Sequence, residues 1–240
     1  MYRIVQSDLF NTGEYMKHTR ESITAVVLNT VKFVRGKAKE NLPLTMDMQI
    51  MQDLHLGEDV YDLVLLLQER TGITPPKQEW EKARTIGDIV ELLLKCDPIK
   101  IAQQAFAEIH AHFPQIEVTE YTGDQHSPVG LQMTFPVQSK IKHEINLILS
   151  GDELHFSVSH FYLEWFPCTK PDVVKDYIET VSGFLSGEYR VLELYAGTKC
   201  VKAKLQAPKN GDWSTIGTWS TLRALLPWPR KTPAIVRAGS

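Results

Sequence analysis

Residues 143–160 read HEINLILSGDELHFSVSH, and this stretch decides the fold class. Apolar side chains alternate on both sides of Ser150-Gly151-Asp152-Glu153 with the period of two expected of half-buried strands. With Gly151-Asp152 as the turn pair, Leu149 faces Leu154, Leu147 faces Phe156, Ile145 faces Val158 and His143 faces His160, all on one side of the ribbon. Glu144 and Ser159 pair on the other side. A slip of one residue would send the apolar set to the solvent face, so the pattern fixes the register of an antiparallel hairpin.

Working outward, β-branched and aromatic segments separated by Gly, Asp and Pro predict strands at 116–121, 129–136, 141–149, 154–163, 189–195 and 199–206. A helix over Pro171–Leu185 interrupts them, started by Pro171 and stopped by Ser186-Gly187. Another helix, Ile99–Phe113, precedes the first strand. The reading for 98–240 is therefore an α+β domain, an antiparallel sheet packed with one or two helices. Upstream of Pro98 the period changes. Ile23, Val26, Val27, Val31 and Val34 mark an amphipathic helix over Arg20–Val34, and Asp59–Arg70 forms a second that stops at Thr71-Gly72. Thr85, with Asp88 three residues on, opens a last helix ending near Asp97-Pro98. These signals divide the chain into an N-terminal extension (1–19), a helical domain (20–97) and the α+β domain (98–240), α+β overall.

Two hundred and forty residues exceed one ordinary domain and 43% of them are apolar, enough for at least one sizeable core, so two domains are expected. With 23% charged residues and a net charge of −3, it argues against a disordered chain, a free-standing nucleic-acid binder or a polybasic membrane-surface protein. No run approaches the ~18–20 apolar residues of a membrane span. Asp8, Asn11 and Glu14 stand where a secretory signal needs apolar residues, so no membrane association and a cytoplasmic location are expected. The three cysteines, Cys96, Cys168 and Cys200, are widely spaced and form no Cys-x-x-Cys pair, which favours reduced, buried thiols over a disulfide framework.

The stretch Gln52-Asp53-Leu54-His55-Leu56-Gly57-Glu58-Asp59-Val60, then Leu63, Leu67, Ile73-Thr74-Pro75 and Thr85-Ile86-Gly87-Asp88-Ile89, resembles an acyl carrier protein. That resemblance implies a helical bundle over about 20–97. In the family, an Asp-Ser-Leu triplet starts the second helix and its serine carries phosphopantetheine. Here Gly57-Glu58-Asp59 occupies the place, and no serine lies between Ser22 and Ser127. The chain is thus closer to serine-less, acyl-carrier-like domains; phosphopantetheine is not expected, nor is another cofactor. In true carriers the acidic second helix docks on basic patches of partner proteins. By that analogy Asp53, Glu58, Asp59 and Asp62 are the partner-binding candidates, since complementary charge steers encounters; the competing reading is a solvated face whose acids suit a helix N-terminus.

In the second domain, His143 and His160 at the end of an apolar face are candidate metal ligands or proton-transfer groups, and Cys168 offers a thiolate as ligand or nucleophile. Against this, two imidazoles make half a zinc site, and rim histidines commonly bond to backbone or water. His110 and His112 suit a helix C-terminus. Tyr162, Trp165, Phe166, Trp213, Trp219 and Trp228 are either core or binding anchors. The tail after Asp212 has no acid and carries Arg223, Arg230, Lys231 and Arg237 with three prolines, which reads as a surface strap. No nucleophile elbow, phosphate loop or zinc-protease motif occurs. The leading expectation is a non-enzymatic protein–protein interaction protein, such as an immunity or antitoxin-type inhibitor, whose partner has a basic surface. The alternative is an enzyme, a hydrolase or a metal-dependent one, built on His143, His160 and Cys168.

Overall fold

The computed structural model describes residues 18–36, 43–123, 129–225 and 231–238. Its buried apolar residues form two clusters that part between Cys96 and Ala102. The first belongs to helices α1 (Arg20–Arg35), α2 (Asp59–Thr71), α3 (Lys77–Trp80) and α4 (Ile86–Lys95). Ile23, Val27 and Val31 of α1 meet Leu63 and Leu67 of α2 and Ile89, Val90 and Leu93 of α4. These are the stripe positions that a 3.6-residue period selects. Gly72, at φ 67°, ends α2 in the left-handed region, and the Thr85–Asp88 capping box opens α4. The loop before α2 is tied to α4's entry: Ile50 N–H donates to Arg84 O at 2.9 Å and Gly87 N–H to Met46 O at 2.7 Å. Four residues are too few to show a period, so α3 escaped the sequence reading.

The second cluster belongs to α5 (Pro98–His112), α6 (Pro171–Leu185) and two antiparallel sheets. Asp97 caps α5 by accepting the Ile99 N–H at 3.1 Å, and Pro98 takes the first helical turn. One sheet runs β1 (Thr119–Thr122), β2 (Leu131–Phe135), β3 (Ile145–Ser150), β4 (Glu153–Val158) and β5 (Phe161–Trp165) in chain order. The other has the order β8 (Asp212–Ser220), β7 (Lys199–Lys209), β6 (Arg190–Ala196), β9 (Thr232–Val236). The β3–β4 hairpin takes the expected register: Leu149 with Leu154, Leu147 with Phe156 and Ile145 with Val158. Helices α5 and α6 pack on the first sheet, and β5 packs against β7 and β8 of the second.

Three expectations need correction. The strand read at 154–163 is two strands, because the chain reverses at Ser159-His160, with Ser159 at φ 52°. His160 therefore lies in a turn and pairs with no residue of β3, and His143 stands ahead of β3 instead of on it. Finally, the basic tail contains β8 and β9, so the domain has two sheets. Asn210-Gly211, at φ 55° and 83°, makes the β7–β8 turn, since both residues tolerate the positive φ that a tight hairpin needs. Of the tail's side chains, Arg237 stacks over the Trp213 ring at 5.8 Å, with Arg190 closer at 3.9 Å. Residues 1–17, Pro227, Trp228, Pro229 and Arg230 lie outside the described residues.

Gly183 in α6 supplies a test of this packing. Glycine inside a helix normally costs ~1 kcal/mol relative to alanine. A Cβ at 183, however, would fall 2.7–2.9 Å from three Tyr189 ring carbons, and Tyr189 N–H is held by Gly183 O at 2.8 Å. Overpacking against a rigid ring outweighs the gain in propensity, so Gly183→Ala is expected to destabilise by about 1–3 kcal/mol in urea unfolding. A stabilised variant would contradict this placement of Tyr189.

Candidate functional site

Among the described residues, the places that gather side chains capable of recognition or chemistry include two that matter most. The first is the outer face of α2. Glu58, Asp59 and Asp62 are exposed, and none forms an ion pair among the described residues. At about 100° per residue, Tyr61 and Leu65 fall beside Glu58 and Asp62 on the solvent side. They are 73% and 63% exposed, large apolar side chains left open to water. Beside them runs a groove of about 620 Å³ lined by Met51, Val64, Trp80 and Ile89 among others. Asp53 behaves differently from the other three acids: its carboxylate accepts the Gln49 N–H at 2.7 Å and closes the loop before α2.

The second place is the corner where the β4–β5 turn meets β6 and β7. Val191, Glu193 and Tyr195 share one face of β6 by the two-residue period. Glu193 thereby occupies a core position and is only 1% exposed. Cys200 joins that face through a β-bulge: Leu194 pairs with Lys202 while Tyr195 pairs with Cys200, leaving Val201 over. The extra residue shifts the parity of β7 and turns Cys200 inward. His160 N–H donates to Glu193 Oε1 at 3.0 Å, and the Tyr195 hydroxyl donates to Oε2 at 2.6 Å. The His160 ring stands edge-on to Tyr195, its Nδ1 3.2 Å from the Tyr195 oxygen, 3.3 Å from Ser159 Oγ and 3.4 Å from Glu193 Oε1.

The electrostatics follow from that geometry. Burial pushes the Glu193 carboxyl upward, but the hydrogen bonds from Tyr195, the His160 N–H and Ser159 outweigh it and hold the group below its usual range. Tyr195 is raised by burial and by the same carboxylate. Burial, then the Glu193 charge, raises the Cys200 thiol.

The sequence candidates fall in different surroundings. His160 is in the corner; His143 instead borders a concavity with Ser157, Val158 and Ser159. Cys168 lines a cleft of about 660 Å³ between the helical unit and α6, together with Cys96. Burial, then the nearby Asp152, pushes its thiol up to about 12, which keeps it protonated at neutral pH. That environment suits a structural thiol and works against a nucleophile. Among the aromatics, Trp165 is core and donates to Asp176 at 2.6 Å, whereas Phe166 is 60% exposed. At the end of α5, His110 Nε2 lies 3.3 Å from Ile116 O, which accepts from it. Glu193 and Tyr195 were missed in the sequence, although an acid in phase with Val191 on an apolar strand was a readable signal. No helix is long and apolar enough to cross a membrane among the described residues. No family model, curated protein or solved structure matches the chain.

Proposed function

We propose that this chain is a non-enzymatic interaction protein. Its helical unit, an acyl-carrier-like bundle that lacks the serine for phosphopantetheine, docks a protein partner through the outer face of α2. The observation that carries this reading is the coincidence of three acids that form no ion pair among the described residues with exposed Tyr61 and Leu65 beside an apolar groove. The macrodipole accounts for acids at a helix start, worth ~0.3–1 kcal/mol each, but it gives no reason for large apolar side chains beside them. A partner offering an apolar side chain ringed by Lys and Arg satisfies both features. The charges steer the encounter, and burying Tyr61 and Leu65 adds about 1.5–3 kcal/mol apiece. The loop at Gly57-Glu58-Asp59, where a carrier bears its serine, has no hydroxyl to esterify.

The test is capture of partners by the tagged chain from its own cells, run in parallel with two variants. Wild-type protein is expected to retain one polypeptide in stoichiometric amount. The combined Glu58→Lys, Asp59→Lys and Asp62→Lys variant should lose it, with association slowed about 10–10³-fold. Leu65→Asp should lose it too, while circular dichroism shows both variants folded. Retention by both variants would refute docking through α2.

A further inference from the structure

A carboxylate as buried as Glu193 calls for a positive neighbour, because an uncompensated charge in the interior is costly. Among the described residues no Lys or Arg pairs with it, and the group beside it is the His160 imidazole, Nδ1 lying 3.4 Å from Oε1. Beside that carboxylate lie two further donor atoms. One ring nitrogen of His160, a carboxylate oxygen of Glu193 and the Cys200 sulfur all fall within 4.8 Å of one another. We infer that His160, Glu193 and Cys200 form a binding site for a zinc(II)-class cation, with solvent as the fourth ligand. This site belongs to the sheet domain and stands independently of the interaction reading.

The donor set selects the metal. Imidazole nitrogen, carboxylate oxygen and thiolate sulfur together suit a borderline ion of tetrahedral habit, whereas calcium and magnesium require oxygen alone. The distances agree with that habit. Zn–N and Zn–O bonds of ~2.0–2.2 Å at a tetrahedral angle place nitrogen and oxygen about 3.4 Å apart. His160 Nδ1 and Glu193 Oε1 are separated by 3.4 Å. An edge that includes sulfur is about 3.6 Å, so the widest gap, within 4.8 Å, has to close by about 1.2 Å at most. Rotation of the half-exposed His160 imidazole adjusts the two edges that include its nitrogen.

The surroundings are those of a ligand set held in place. Tyr195 fixes the second oxygen of Glu193 at 2.6 Å and the backbone N–H of His160 fixes the first, so the carboxylate is aimed before any ion arrives. The β7 bulge is what presents Cys200 to it. Binding balances simply. Glu193 is already an anion, His160 carries its proton on Nε2 and offers the Nδ1 lone pair, and the Cys200 thiol releases one proton to solvent as the S–metal bond forms. Two anionic ligands then neutralise the divalent ion.

The protein is stripped with chelator, exposed to zinc(II) or cobalt(II) alone, desalted and analysed for metal and absorbance. The wild-type chain is expected to keep about one metal ion and, with cobalt, to show sulfur-to-metal charge transfer in the near ultraviolet. Cys200→Ser should lose that absorption. His160→Ala, at a half-exposed side chain that the fold does not need, should lower zinc affinity by at least about 100-fold. Tyr195→Phe, a positioning residue, should lower it about 10–100-fold and keep the charge-transfer band. His143→Ala and Cys168→Ser should change nothing. The site is refuted if wild-type protein retains no ion, or if Cys200→Ser and His160→Ala bind as wild type does; should Cys200→Ser not fold, His160→Ala decides alone.

Discussion

Phe156→Ala is expected to destabilise the sheet domain by about 3–5 kcal/mol, the largest loss from any single change considered. Phe156 is fully buried on the helix-facing side of β4. Leu147 and Leu163 flank it on the neighbouring strands. Its ring lies 6.0 Å from Phe161 and 5.4 Å from Phe184 of α6, so one side chain joins three strands to the helix above them. Strands fixed by ladder hydrogen bonds on both sides cannot collapse into the space left by a ring, and the cavity term adds to the lost burial. Phe156→Leu, which keeps most of the volume, should cost well under half as much. Urea unfolding followed by far-ultraviolet circular dichroism gives both numbers; a loss below about 1 kcal/mol for alanine would contradict the packing of β4 against α6.

Glu193→Ala is expected to cost about 2–4 kcal/mol in metal-free protein, a large effect for replacing a charged residue. Surface acids are usually replaced for a few tenths of a kcal/mol. Glu193 is different because two strong donors, the Tyr195 hydroxyl and the His160 N–H, are pointed at its carboxylate. Alanine leaves the His160 N–H without its acceptor and takes the carboxylate from the Tyr195 hydroxyl, which keeps only the weaker contact to His160 Nδ1 at 3.2 Å. Glu193→Gln keeps one carbonyl oxygen and should lose about half as much. In the double variant with Tyr195→Phe, one orphaned donor is gone, so the combined loss should fall short of the sum. Equal stability of Glu193→Ala and wild type in chelator would show that the donors find other partners.

The parts of the fold that were legible in the sequence are those written in local period. The β3–β4 register followed from alternation and a Gly-Asp turn, and α4 from a hydroxyl and an acid at cap spacing. The reversal at Ser159-His160 carries no glycine or proline, but it does leave a trace. Apolar residues run 154, 156, 158 and then 161, and that change of parity marks a break the strand reading passed over. The β7–β8 turn was signalled by Asn210-Gly211 and obscured by the tail's basic composition. Of the corner cluster, Glu193 was readable from its phase with Val191. Cys200 was not, because its inward turn depends on a bulge that only the pairing with β6 creates. The facing of His143 and His160 rested on one long strand, and the turn at Ser159-His160 removes that strand pairing. On α2 the acids were legible as charge, whereas the exposure of Tyr61 and Leu65 became visible only once the inner face of the helix was assigned to Leu63 and Leu67.

The measurement that tests the interaction reading most directly is amide hydrogen exchange on the full chain, alone and with the polypeptide it captures. Protection is expected over 49–53 and along α2, residues 59–71, with the two sheets unchanged. Protection confined to the sheet domain, or no captured polypeptide to add, would contradict a docking role for the helical unit.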